Sequence, residues 1–493
     1  MALELDAKQQ EVVDQILAGR HEGGAIIAGE MATGKTNVAV KVCQELALPV
    51  VLLACPIKGT RVSWKRTFRA GGYKGEFYNL TNDEAENFAR LKAGEPGVYI
   101  IGREYLHLCT KPVIRNGVEL RPAHIDWLKV RTIDIAIFDE VHAAANRKSA
   151  TYHAWFSVRP KTLKIGMSGT WFGNRFEGAW AVSRAIWRDR IDRSFWRWAE
   201  KWTRIEYQCP QCMAPQEDDE PGLCYACYER MTPKTIIRSV GPEKAAGEFV
   251  KTLPAYFRWT AELDGDDPAG WEPTQETLIV ELGPRQRKAY TQMEDDALAW
   301  LEDNPLSADL PVSKYSRLRQ LALGLLSVVG DKVWLKPDAE SAKIDALVEW
   351  LNDHPEGNVL IGTDSRILAD ILPHRLKKES VTLWTGGTSH KDREKILSSW
   401  GMSDRREILV ATIPAMAEGV DGIQHVCSTL VWMSKEKSEI LNQQFRARLL
   451  RRGQKSRVHE VEIVAAETKD EPGNNRLDRI HAERLASQGR SNV

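Results

Sequence analysis

No stretch of the chain approaches the roughly 18–20 consecutive apolar residues that cross a bilayer, so no membrane partner is expected. The segment Met1 to Gln10 lacks the basic-then-apolar order of a secretory signal, and the expectation is a cytoplasmic, reducing environment. Excess charge of either sign is also missing: Lys+Arg and Asp+Glu both number 68. That balance excludes a global field drawing in a polyanion, so any nucleic-acid surface must be local. No internal repeat and no low-complexity tract is present, which excludes a repeat array. Cysteine is sparse, and of the eight, Cys43, Cys55, Cys109 and Cys427 are scattered in apolar surroundings. A disulfide framework is therefore not expected, and the other four, which cluster, point to a metal. What remains is a chain of 493 residues, long enough for two or three domains with sizeable cores.

The stretch that organises the rest is Gly29-Glu30-Met31-Ala32-Thr33-Gly34-Lys35-Thr36, a match to G-x-x-x-x-G-K-[ST] at every required position. An apolar run, Ala25 to Ala28, reads as a buried strand before it, and Val38, Val42 and Leu46 give helical spacing after it. Gly29 and Gly34 let the backbone curl so that N–H groups around Thr33 point inward, with a helix N-terminus behind them. This is a cradle for the phosphates of ATP, with Lys35 reaching the β- and γ-phosphates and the Thr36 hydroxyl on Mg²⁺. Upstream, Gln9 either reads adenine through its amide or is an ordinary helix residue.

A fourth apolar run, Ile133 to Phe138, leads straight into Asp139-Glu140-Val141-His142. In a phosphate-loop protein, Asp139 would hold Mg²⁺ and Glu140 would orient and deprotonate the attacking water. After the strand Val50 to Cys55 comes a basic stretch containing Lys58, Arg61, Lys65 and Arg66 with Trp64 among them. It suits a phosphate backbone and equally a solvated helix face. Farther on, Trp196 and Trp198 lie in a Trp- and Arg-rich stretch for which packing is favoured over base stacking. Then Cys209-Pro210-Gln211-Cys212 and Cys224-Tyr225-Ala226-Cys227 form two C-x₂-C pairs, the pattern of a tetrahedral Zn²⁺ ribbon. From Thr277 to Thr412, apolar strand-like runs alternate with helical spacing, which argues for a second parallel sheet covered on both faces.

The phosphate loop, the Asp139–His142 box and Ser168-Gly169-Thr170, in this order, resemble the first motor lobe of superfamily 2 helicases. The wording around them is closer to the Swi/Snf-type translocating ATPases, although Trp171 stands where that branch has proline. Thr412 to Asp421 resembles helicase motif V, with Met416 and Ala417 in place of two glycines, and Gln444 to Gln454 resembles motif VI. The resemblance implies an α/β fold of two RecA-like lobes with a zinc-ribbon insertion. It implies that Gly419 and Asp421 belong to the nucleotide site, and that Ser168, Thr170 and Gln444 couple hydrolysis to movement. Arg448 and Arg451 would neutralise charge on the γ-phosphate in the transition state. The boundaries expected are 1–178 for the first lobe, 179–275 for the insert, 276–466 for the second lobe and 467–493 for a polar tail. The implied activity is an ATPase that translocates on double-stranded DNA as a monomeric motor. A strand-separating DNA or RNA helicase is the alternative, and an ATP-regulated nucleic-acid clamp the alternative of another class.

Overall fold

Runs that are apolar at every position, without alternation, form strands buried on both faces. Val50–Cys55 and Gly97–Gly102 are such runs, buried from end to end. The computed structural model describes residues 3–30, 33–56, 60–115, 118–121, 123–173, 175–209, 215–216, 237–259, 272–301, 304–308, 311–329, 332–417, 422–451 and 453–470. These residues fall into two compact units, up to 259 and from 272.

The first unit is built on a seven-stranded sheet. Its order is Tyr256–Phe257, Gly24–Ile27, Leu163–Met167, Ile135–Asp139, Val50–Cys55, Gly97–Gly102 and Phe77–Leu80. Every neighbouring pair is parallel. Helix Ala7–Ala18 starts at Asp6, which accepts from Gln9 N while the Gln9 side chain accepts from Asp6 N, a reciprocal cap. Helix Lys35–Leu46 begins where Gly34 turns left-handed at φ 74°, a conformation that costs glycine little.

The Trp- and Arg-rich stretch packs. In helix Phe195–Trp202, Trp198 is buried and stacks on Phe176, and Phe249 meets it edge-on. Strand Thr203–Gln208 then pairs antiparallel with Pro215–Gln216 on one side and Ile237–Glu243 on the other. Cys209 follows the first of these strands and is buried; Cys212, Cys224 and Cys227 lie outside the described residues. Beyond this small sheet, Tyr256–Phe257 joins the main sheet as its edge strand.

The second unit has a six-stranded parallel sheet in the order Thr274–Val280, His459–Ala465, Cys427–Trp432, Asn358–Thr363, Glu407–Thr412 and Ser380–Trp384. Two antiparallel hairpins are added to it, Leu298–Leu301 with Asn304–Ser307 and Leu326–Val329 with Lys332–Leu335. Both units are thus α/β with parallel sheets of the RecA-like kind. Among the described residues, no helix is long and apolar enough to cross a membrane.

Candidate nucleotide site

Strand register sets the site. Met167 pairs with Ile27 on one side and with Asp139 on the other, so three strands end at one level. The segments leaving them are the phosphate loop, Ser168–Thr170 and Glu140–His142, and they share the C-terminal edge of a parallel sheet, where such sheets bind ligands.

In the phosphate loop, the Lys35 ammonium donates to the carbonyls of Gly29 at 2.9 Å and Glu30 at 2.8 Å. The Thr33 hydroxyl donates to Glu30 O at 2.7 Å. Thr36 is half-buried in the first helical turn. Gln9, 4% exposed, donates from Nε2 to Thr33 O at 3.0 Å and lies against Gly34, so its amide supports the loop backbone. A Cβ at Gly29 would lie 2.7 Å from Thr33 Oγ1 and 3.0 Å from the Trp259 ring. Close approach therefore favours glycine there.

The two carboxylates are held differently. Asp139 Oδ2 accepts from the indole N–H of buried Trp64 at 2.9 Å. Glu140, at φ 55°, accepts from Ser168 Oγ at 2.8 Å and lies 3.2 Å from His142 Nδ1, which is itself 3.0 Å from Ser168 Oγ. Left-handed backbone is uncommon for a non-glycine residue, and here it sets the direction in which the Glu140 side chain leaves the strand end. Burial, then the Glu140 charge, pushes the Asp139 carboxyl above its ordinary range. Burial also pushes Glu140 up, but the hydrogen bond and charge of His142, with Lys35 and Ser168, outweigh it and hold this carboxyl low. One of the two adjacent acids is thereby kept ionised.

Ser168 is the junction of the edge. Besides its bond to Glu140 it accepts from Thr170 N at 3.1 Å, and Thr170 is buried beside it. Trp171, fully buried, packs on Phe172 and Tyr256, so the residue in the proline position is a core residue.

Several participants lie outside the motifs, and one, His142, closes the acid box. The backbone of 255–259 runs beside the phosphate loop, with Ala28 N donating to Phe257 O at 2.6 Å and Glu30 N to Trp259 O at 2.9 Å. Arg258 pairs with Glu30 at 3.3 Å. With Trp64 and His142, these residues complete the surroundings of the loop and the acids. His142 is legible in the sequence as the last residue of the Asp139–His142 box, whereas Trp64 and 255–259 have no such signal.

Of the basic stretch, Lys58 lies outside the described residues. Helix Thr60–Ala70 carries Arg66 exposed, Arg61 half-buried, and Lys65 with Nζ 5.6 Å from the centre of the Phe77 ring. In the second unit Gln444 is 2% exposed, and its Oε1 has no hydrogen-bond partner among the described residues. Arg448 donates to Gln444 O at 3.0 Å and to Ala417 O at 2.6 Å, fastening its own segment to the middle of Thr412–Asp421. Arg451 is half-buried on the same segment. Gly419 and Asp421 lie outside the described residues.

Comparison with protein-family models gives no match, and no curated protein matches the chain. Among solved structures, it is similar to the Sulfolobus solfataricus SWI2/SNF2 ATPase core in complex with dsDNA. The identity is 14% and the TM-score 0.39, with 99% of this chain and 93% of that chain covered.

Proposed function

We propose that the protein is an ATP-hydrolysing motor that translocates on double-stranded DNA. The observation that carries the reading is the meeting, at one sheet edge, of a lysine-bearing phosphate loop with the adjacent acids Asp139 and Glu140, held by Trp64 and Ser168. Lys35 exchanges its two carbonyl acceptors for phosphate oxygens of ATP. Thr36 and Asp139 offer a hydroxyl and a carboxylate, hard oxygen donors that fit Mg²⁺, and Trp64 orients the carboxylate. When bound, Mg²⁺ neutralises charge on the β- and γ-phosphates. Glu140, kept ionised by its neighbours, orients the attacking water and takes its proton.

The remaining roles rest on the resemblance of motifs. Gly419 and Asp421 complete the nucleotide site, Arg448 and Arg451 answer transition-state charge, and Ser168, Thr170 and Gln444 pass the nucleotide state on. Duplex DNA is tracked through its phosphates without base reading.

A structural Zn²⁺ on Cys209, Cys212, Cys224 and Cys227 belongs to the same proposal. The strands flanking the first pair run antiparallel and are bonded to each other, with Cys209 buried at the end of one. That placement suits a ribbon. Purified protein should contain one zinc per chain, released when the thiols are modified. Folded, active protein without zinc overturns this part.

The motor is tested by ATPase rate with duplex, single-stranded DNA and RNA, beside triplex displacement and fork unwinding. Greater stimulation by duplex, with triplex displaced and forks intact, is the expected result. Best stimulation by single strands with forks opened would replace it with the helicase reading.

A further inference from the structure

The phosphate loop holds one acid of its own. Glu30 is its second residue, and a carboxylate there repels the phosphates that a lysine-bearing loop collects. The Glu30 main chain is built into the cradle: its carbonyl accepts from the Lys35 ammonium at 2.8 Å and from the Thr33 hydroxyl at 2.7 Å. Gly169 lies against the same backbone, where a Cβ would come 3.3 Å from Gly29 O and 3.6 Å from Glu30 Cα. The Trp259 ring also closes on Gly29. The backbone from which this carboxylate leaves is therefore held in place.

Among the described residues, the side-chain partner of that carboxylate is Arg258, with Nη2 3.3 Å from Glu30 Oε1. Three main-chain bonds already join the two segments. Ile26 N donates to Ala255 O at 2.9 Å, Ala28 N to Phe257 O at 2.6 Å and Glu30 N to Trp259 O at 2.9 Å. Strand register is set without the ion pair. With the Glu30 side chain 46% exposed, the pair also adds little to stability. The use left for the guanidinium is electrostatic: it offsets the one charge of the loop whose sign opposes the ligand.

We propose that Arg258 is a charge-compensating residue of the nucleotide site. It acts through Glu30, so that Lys35 meets the phosphates of ATP without an opposing carboxylate. The proposal rests on the ATP reading and adds to it a residue 228 positions from Glu30. Arg258 follows the edge strand Tyr256–Phe257, which the chain reaches only after the small antiparallel sheet. The insert thus returns to the nucleotide site at this pair.

The test uses the full chain, a fluorescent ATP analogue with Mg²⁺, and steady-state ATPase activity. Arg258→Gln leaves the carboxylate uncompensated and should weaken analogue binding about three- to fivefold, the upper range for a partly exposed pair. Glu30→Gln removes the repulsion and leaves the cation, so it should bind at least as tightly as wild type. The double variant should return to near wild-type affinity, and Arg258→Lys should keep most of it. KM for ATP should follow these affinities while kcat is kept, because the groups proposed for hydrolysis are untouched. The difference between Arg258→Gln and wild type should narrow in high salt, which screens charge. Weaker binding by Glu30→Gln overturns the proposal, since the pair would then be a brace that suffers from the loss of either partner. Glu30→Gln decides by that sign even if Arg258→Gln fails to fold. If the wild-type protein binds no nucleotide, the ATP reading falls and the proposal with it. If wild type and Arg258→Gln bind equally, that reading stands and Arg258 has no part in it.

Discussion

The indole N–H of Trp64 donates to Asp139 Oδ2 at 2.9 Å, joining residues 75 positions apart. The bond runs from the helix Thr60–Ala70 to an acid of the phosphate-loop edge. On that helix Trp64 is buried, while Arg66 faces solvent. One short element therefore carries Arg61, Lys65 and Arg66, three of the cations proposed for DNA, and the donor that orients the proposed Mg²⁺ ligand. In the motor reading, a helix displaced by DNA must carry the indole with it, which gives DNA a direct mechanical route to Asp139.

Trp64→Phe keeps an aromatic ring in the core and removes only the donor. A hydrogen bond to a charged group is worth about 1.5–3 kcal/mol, so DNA-stimulated turnover should fall about 10- to 100-fold. The Mg²⁺ concentration giving half-maximal rate should rise with it. A Mg²⁺ titration of steady-state ATPase activity decides the matter. An unmoved midpoint and an unchanged rate would reduce the contact to packing.

Asp139 and Glu140 make a second expectation possible. Burial and the neighbouring charge raise the Asp139 carboxyl in the folded protein above its ordinary value of about 3.9. Over that window the folded chain binds more protons than the unfolded one, so this group's contribution to stability is lost as pH rises through its folded value. At neutral pH and without metal, Asp139 is a cost. Asp139→Asn should then raise the melting temperature in EDTA by roughly 2–4 °C, the equivalent of about 1 kcal/mol in a unit of this size. It should also abolish Mg²⁺-dependent turnover. Calorimetry showing a lower melting temperature for the variant would contradict the assigned cost of burying this carboxylate beside Glu140.

The parts of this site that are legible in the sequence are those written within a few residues of one another. Ile133 to Phe138 is apolar at nearly every position and ends in two acids, so both the strand and its chemical use can be read directly. The phosphate loop is legible for the same reason. Trp64 looks like an aromatic among cations, because its bond to Asp139 exists only once the sheet brings the two segments together. Trp259 has even less signal. The strand before it, Tyr256–Phe257, is two residues long, too short for a period, and its place beside Gly24–Ile27 is a tertiary fact. In His459–Ala465, Glu460 and Glu462 interrupt the apolar run, and the structure meets their charges with Arg446 and Lys435.

Glu140→Gln tests the base. The amide keeps the side chain's shape and loses the carboxylate, so ATP and Mg²⁺ should still bind while turnover falls about 10²- to 10⁴-fold. Lys35→Ala should instead weaken nucleotide binding itself. Ser168→Ala removes one donor to Glu140 and should cost less than Glu140→Gln, because His142 remains beside the carboxylate. Nucleotide affinity by fluorescent-analogue titration, set against single-turnover hydrolysis, separates the three. Near wild-type hydrolysis by Glu140→Gln would remove Glu140 from the mechanism.

The basic helix carries the last expectation. Arg66 is exposed, and Arg61 is half-buried with its Nε buried and lacking a hydrogen-bond partner among the described residues. Lys65 lies over the Phe77 ring, which fixes the direction of its stem. If these cations face duplex phosphates, each neutralised contact releases counterions, and each alanine substitution should lower the salt slope of duplex binding by about 0.9. Lys58, in the same stretch of sequence, is tested with them. Because phosphate carries no sequence information, the weakening should be nearly equal on unrelated duplexes. Basal ATPase without DNA should change little, since the substitutions spare Trp64 and leave Asp139 its donor. The DNA concentration needed for half-maximal stimulation should rise, and the rate at saturating DNA should be kept. A loss of basal rate would instead indicate that the helix had shifted and taken Trp64 from Asp139. An unchanged slope after neutralising all four would show that DNA, if bound, meets another face of the molecule.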